Sequence, residues 1–365
     1  MKGEIVLLYA FDIAHEIATD RIREILSKKP FPFEIRMGKT IPKDLPIYRP
    51  LTIALAPEEY DTSVGRITLK PFVKIIDIGV VSISLEIPFD RPALSDLTAY
   101  HHIALKDNRT LDQLAETICS QVRESIKPAL IKPNEKIDPP EAYTIFCVSG
   151  VEDGPIPAWV GARKREIAAL LMEETNASAL SDMQINEVLD HTLHYTNDDA
   201  VVIDWDAALI IDRDEYYDDV LYVIELANLQ LEEFQYIDRL LETLRERSYG
   251  DVERYYRAAR FLGLPTRTLT TLRHTQMDLA KMSDEVTNIA KFSGDWYLAR
   301  VYLACRDRFH IDRWRESVRE KLASLEHLYN VVNGEIANRR MVLLEGIIVV
   351  LFILDVLMLL ILKKG

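Results

Sequence analysis

The stretch from Met341 to Leu362 constrains this chain more than any other, because its 22 residues are uncharged except for Glu345 and Asp355. About 20 apolar residues suffice to cross a bilayer. A helix that is apolar on every side is not a surface helix of a globular domain. Arg339 and Arg340 precede the run and Lys363 and Lys364 follow it, which would put interfacial cations at both membrane flanks. The sequence therefore predicts a transmembrane helix over 341–362 in a tail-anchored, single-pass protein. The N-terminus, MKGEIVLLYAFDIA, has no small-residue cleavage site and no Arg/Ser-rich transit segment. That predicts a soluble body that stays on the cytoplasmic side of the membrane, where the chain is made.

Two acids inside such a run need a use. Asp355 facing lipid while charged would cost about 2.5–3.5 kcal/mol. At about 100° per residue, Glu345 and Asp355 lie some 80° apart and share one side of a helix. That arrangement suits a helix–helix seam, where each inter-helix hydrogen bond is worth about 1 kcal/mol. Both residues are accordingly candidates for an oligomer interface. A single acid tolerated by snorkelling is the plainer alternative.

The remainder reads as globular. The 365 residues are 48% hydrophobic, enough for two or three folding units. A formal net charge of −14 argues against direct nucleic-acid binding, which requires a basic face. Cys119, Cys147 and Cys305 form no CxxC pair and read as buried free thiols.

Alternating patterns set the fold expectation. EIVLLYAFDI is a strand, HEIATDRIREILSKK an amphipathic helix, and RPLTIALAP a short strand. Two β-rich runs flank a bend at Gly79. LDQLAETICSQVRESI has helical period and EAYTIFCVSG is a buried strand. The order β-α-β-β-α-β predicts an α+β chain whose residues 1–150 form a ferredoxin-like α/β sandwich. Residues 151–215 read as a helix, PAWVGARKREIAALLMEE, plus a hairpin of AVVIDW and AALIID that either joins the first sheet or caps the helices. From 216 to 340 the chain turns helical. It is broken near Gly263 and Pro265 and resumes around Leu279, Met282, Val286 and Ile289. A last seam of Ile311, Trp314, Val318, Leu322, Leu325, Tyr329, Val332 and Ile336 predicts a coiled-coil stalk leading into the span.

The tail carries a resemblance. Leu344-Glu345, the apolar run Ile347–Leu354, and then Asp355-Val356-Leu357 resemble the C-terminal motif of the DUF155 family, named for the required for meiotic nuclear division protein 1. Here Gly346 replaces an aromatic and Asp355 a glutamate. IIDIGVV, around Gly79-Val80-Val81, and the helix holding Arg239-Leu240 are weaker echoes. The resemblance implies an α/β domain, a helical stalk, an inner-membrane anchor and homo-oligomerisation. Mitochondrial members support organellar translation. The resemblance brings no catalytic residues.

Chemistry-bearing clusters are few. His191 and His194 stand at i, i+3, which on a helix would share a face, and Asp198 and Asp199 follow, a set suited to Zn or Fe. No HExxH accompanies them, so a polar helix end is the plainer reading. DWDAALIIDRDEYYDD, holding Asp204 and Asp206, could bind a cation or do acid–base work, although acids there also suit a helix start. Residues 195–260 hold 17 acids against 7 bases, a local net of −10, which makes them a solvated face or a docking surface for a basic protein partner. His101 and His102 read as an ordinary polar loop. There is no phosphate-binding, dinucleotide or nucleophile-elbow motif.

The sequence thus predicts a tail-anchored, homo-oligomeric membrane scaffold or assembly protein with a soluble partner-binding domain, no cofactor and no catalysis. Two alternatives stand beside it. One is a pore-forming or transport-coupled oligomer using Asp355. The other is a metal-dependent hydrolase using His191/His194 or Asp204/Asp206.

Overall fold

The computed structural model describes residues 1–28, 50–151, 154–257 and 296–362. It divides into two compact units, Met1–Tyr236 with Asp284–Trp314, and Ile237–Ser283 with Arg315–Gly365.

In the first unit, strand β1 (Lys2–Asp12) is buried from Ile5 onward and lies near the middle of a large sheet. β2 (Ala14–Ile17) and helix α1 (Thr19–Lys28) follow, so His15 and Glu16 belong to a strand and not to the expected helix. Next come β3 (Leu51–Ala54), β4 (Glu58–Thr62), β5 (Gly65–Ile75) and β6 (Val80–Asp90). Gly79 makes the bend before β6, with φ +99, and a Cβ there would meet the Ala14 carbonyl oxygen at 1.7 Å. Only glycine meets both demands.

Helix α2 (Leu111–Ile126) opens on a capping box, in which Thr110 Oγ1 accepts from Gln113 N at 3.3 Å and Gln113 Oε1 accepts from Thr110 N at 3.2 Å. Beyond it lie β7 (Leu130–Pro133), β8 (Glu141–Val148), α3 (Ile156–Ala162), α4 (Lys164–Leu171), α5 (Asp182–Leu189) and the short β9 (Thr192–Leu193). β10 (Asp199–Ile203) and β11 (Ala207–Asp212) form a hairpin. Among the described residues, nine strands make one sheet in the order β3-β5-β6-β1-β8-β11-β10-β9, with β4 paired to β5. β2 and β7 pair separately. Every described neighbour in the large sheet is antiparallel except β8 and β11.

Both faces are covered. Ile5, Leu7, Tyr9 and Phe11 share one core with α2, α3, α4 and α5. On the opposite face, Ser82 of β6 donates to Glu225 of helix α6 (Asp218–Arg257) at 2.6 Å. Tyr143 of β8 stacks edge-on with Phe309, just beyond helix α7 (Trp296–Arg308).

The ferredoxin-like sandwich is corrected by this sheet. β5, β6, β1 and β8 are only its middle, and β9, β10 and β11, from beyond residue 150, extend it. The reason lies in the hairpin, whose residues from Ala200 to Ile203 and from Ala207 to Ile211 are all buried. Strands apolar on both faces need covering on both, and a place inside the sheet provides it.

In the second unit, helix α8 (Ile311–Leu362) buries Val318, Leu322 and Leu325, while Leu241 and Leu244 of α6 are buried too. Lys321 Nζ reaches Asp238 at 2.7 Å and Glu242 at 3.7 Å. The upper seam of the predicted stalk is thus occupied within the chain. The side chains of Tyr329, Val332 and Ile336, the break at Gly263 and Pro265, and the helical period from Leu279 to Ile289 lie outside the described residues.

The membrane expectation is also corrected. Among the described residues, no helix is long and apolar enough to cross a membrane. The contiguous described side chains of α8 beyond the stalk run from Met341 to Asp355 and include both acids. The transmembrane helix, the tail anchor, the membrane as a partner and the inner-membrane location with a cytoplasmic body are therefore not supported. The flanking roles of Arg339, Arg340, Lys363 and Lys364 go with them, the last two lying outside the described residues.

Candidate functional site

Two clefts lie at opposite ends of the β10–β11 hairpin. The first surrounds its tip, Asp204-Trp205-Asp206, and measures about 390 Å³. Asp204 N donates to Ala207 O at 2.9 Å, Tyr143 OH donates to Asp204 O at 2.8 Å, and Thr144 N donates to Asp206 O at 3.1 Å. These bonds pin the tip to β8. Arg308, at the end of α7, donates through Nε to Asp204 Oδ1 at 2.6 Å and through Nη2 to the same oxygen. Its Nη1 stands 3.8 Å from Glu187. Burial pushes the Asp206 carboxyl upward, and the Glu173 and Asp204 carboxylates add to the shift.

Two residues at the rim of this cleft hold left-handed backbones. Glu173 has φ +57 and His310 φ +52. Glu173 closes α4 in a Schellman arrangement, with Glu174 N on Ala169 O at 2.8 Å and Glu173 N on Leu170 O at 3.3 Å. Glycine is the usual occupant of that position, and the end of a helix is electrostatically unfavourable for an acid. The carboxylate is held instead by two histidines. His101 Nδ1 lies 3.0 Å from Oε1 and His102 Nε2 lies 2.9 Å from Oε2. His310 puts its ring 5.1 Å from that of Trp205.

The second cleft, about 340 Å³, opens where β11 runs out toward α6. Asp198, Asp199, Asp212, Asp214 and Asp219 line it, and none of its described lining residues is basic. Tyr195 and Tyr216 are 73% and 80% exposed, and the ring of Tyr195 lies 5.2 Å from that of Tyr297. Val201, Ile210, Val220 and Leu298 supply an apolar lining. Asp199 orders the turn before β10 by accepting from Tyr195 N at 2.9 Å, Thr196 Oγ1 at 2.7 Å and Tyr297 OH at 3.2 Å. Burial raises the Tyr297 phenol well above its ordinary range, with the Asp199 charge adding to the effect, so Tyr297 stays neutral. Arg213 lies beside the cleft and binds Asp198 at 3.0 Å.

The sequence-predicted residues fall around these clefts unevenly. Asp204 and Asp206 flank one turn, but Asp204 is committed to Arg308. His191 and His194 do not share a helix face: His191 closes the turn after α5, β9 intervenes, and His194 follows it. Their partners differ, with His191 Nε2 on Asp307 Oδ2 at 2.8 Å and His194 Nδ1 on the Asp199 carbonyl at 2.9 Å. Among the described residues no group of three or more His, Cys, Asp or Glu side chains is placed to hold a metal ion. Glu345 and Asp355 lie on exposed helix in the second unit, and the pore reading loses the span it required. Sequence reasoning missed His101, His102 and Glu173. The one local signal was a helix, Ile167 to Met172, that ends on Glu173-Glu174 with no glycine to stop it.

Residues 2–218 match the family described as "Uncharacterized protein MJ0711, N-terminal domain". The chain is similar to a protein of Methanocaldococcus jannaschii (strain ATCC 43067 / DSM 2661 / JAL-1 / JCM 10045 / NBRC 100440) named "Uncharacterized protein MJ0711". The two are 24% identical over 223 residues, 60% of this chain and 65% of the relative. No solved structure matches. The matched residues end before α8, so the DUF155 resemblance read from Leu344-Glu345 and Asp355 gains no support from them.

Proposed function

This chain belongs to the family of the MJ0711 N-terminal domain, and from that premise we propose that it is a homo-oligomeric assembly protein whose α/β unit docks a basic protein partner. The cleft of Tyr195, Tyr216 and Tyr297 carries this reading. The lining holds five aspartates against the neighbouring cation Arg213, and this net negative wall attracts cations, while exposed tyrosine faces add about 0.5–1 kcal/mol for each lysine or arginine seated over them. Asp199, Tyr297 and the turn 195–199 hold the wall in shape before any partner arrives, which lowers the ordering cost of binding. Residues 195–236, with 12 acids against one base, add to the field that steers the partner toward it.

Self-association is the second half of the proposal. From Met341 to Leu354 the described apolar side chains of α8 are exposed in a single chain, and a contiguous patch of that kind marks an interaction surface. Copies of the same helix are the occupant the proposal names. Light scattering checks this on the full chain and on a variant with Ile347, Leu351 and Leu354 changed to glutamine. A monomer in both refutes self-association.

Docking is tested by fluorescence anisotropy with a lysine- and arginine-rich peptide and a glutamate-rich peptide of equal length. The basic peptide binds, weakens as salt rises, and loses roughly tenfold in affinity on Tyr195→Ala with Tyr216→Ala. Equal binding of both peptides, or no effect of the double variant, refutes the docking reading.

A further inference from the structure

His101 has an oxygen acceptor against each ring nitrogen. Nε2 lies 2.8 Å from the Leu170 carbonyl oxygen, an acceptor with no proton of its own, so Nε2 carries the hydrogen. Nδ1 lies 3.0 Å from Glu173 Oε1, close to the carboxylate but out of line for an ordinary hydrogen bond. Were His101 neutral and Glu173 ionised, a nitrogen lone pair would abut a carboxylate oxygen inside the fold. The His101 side chain is only 1% exposed, so water does not relieve that contact. One proton resolves it, on the imidazole or on the carboxyl, and belongs to the pair more than to either residue.

We infer that Glu173 and His101 hold one proton between them and that the pair is a pH-operated latch, fastening the turn at 101–102 to the end of α4 beside the hairpin-tip cleft. The groups around it are few. Glu173 and the Leu170 carbonyl face the imidazole from α4, and His102 adjoins it in the turn. Phe146 of β8 packs edge-on at 5.0 Å. Tyr9 of β1 and Asp112 of α2 line the small cleft on its far side. Asp206 approaches Glu173 from the hairpin tip. Burial pulls the His101 ring below the ordinary histidine range, and the Glu173 carboxylate and the Leu170 carbonyl offset only part of that fall. The strained backbone of Glu173 supplies the other half of the device. A glutamate in the left-handed region stands about 1–2 kcal/mol above its relaxed form, so loss of the contact loosens a turn that the Leu170 carbonyl and His102 still tie to the end of α4.

Loss of the proton opens the latch as pH rises. Hydrogen exchange on the full chain, corrected for the intrinsic pH dependence of amides, reads the opening at residues 101–103 and 172–174. Opening linked to one proton grows about tenfold per pH unit above the titration. Glu173→Gln replaces the carboxyl with an amide whose N–H can donate to Nδ1 without a titrating proton, so exchange there becomes independent of pH. Glu173→Gly removes the carboxylate and suits the left-handed position, so exchange at 101–103 becomes independent of pH while 172–174 stays protected and the global melting temperature holds. Proton-independent exchange in the parent protein, or an unchanged pH profile in Glu173→Gln, overturns the inference.

Discussion

Arg308 and Asp204 meet at the tip of the β10–β11 hairpin, with Nε 2.6 Å from Oδ1 and both side chains largely buried. The pair ties the end of α7 to the turn that also positions Trp205 and Asp206, so one ion pair anchors a whole wall of the first cleft. A buried ion pair adds little to stability compared with apolar residues of the same volume, but removing one partner strands the other charge.

Asp204→Ala therefore costs about 3–5 kcal/mol, since Arg308 keeps its charge without its partner. Joint replacement, Asp204→Leu with Arg308→Met, recovers most of that loss. Urea unfolding of the parent and both variants checks this. A double variant as unstable as Asp204→Ala would refute the stranded-charge account.

Glu86 faces α6 from β6, and burial pushes its carboxyl up to about 7, with Glu4 adding to the shift and Lys70 and Lys74 opposing it. The folded protein then holds a proton that the unfolded chain releases at the ordinary carboxylate value. Stability accordingly falls as pH rises between that value and about 7, and the loss is complete above it. Glu86→Gln removes this slope and stabilises the protein at pH above about 7 by on the order of 2 kcal/mol. Thermal melts across pH decide the sign.

Gly79 and Gly65 both have left-handed backbones, φ +99 and +107, but their surroundings differ. At Gly65 a Cβ meets nothing within 4 Å, so Gly65→Ala costs only backbone strain, about 1–2 kcal/mol. At Gly79 the added atom would overlap the Ala14 carbonyl, and Gly79→Ala costs more than strain alone. Equal melting temperatures for the two variants would contradict this ranking.

What could be read locally followed from the period of apolar residues. Leu111, Leu114, Ile118 and Val122 predict α2, Thr110 and Gln113 cap it, and the hairpin strands around Asp204 to Asp206 stand out as apolar runs. Periodicity acts within a dozen residues, so it does not report which strand lies beside which. That is why the nine-stranded sheet was not foreseen, and why two histidines at i, i+3 misled: the backbone between His191 and His194 is strand, with period two.

The amino-acid sequence by itself indicated β1, α2, β8 and the β10–β11 hairpin, the bend at Gly79, the acidity of 195–260 and the apolar character of 341–354. Tertiary structure alone decided that Glu173 meets His101 and His102 about seventy residues away, that Asp204 is spent on Arg308, and that Tyr195 and Tyr297 share one cleft. The physical reason is range. Local propensity is set by neighbours along the chain, whereas a charge or a ring acquires its role from groups that only folding brings within a few ångströms.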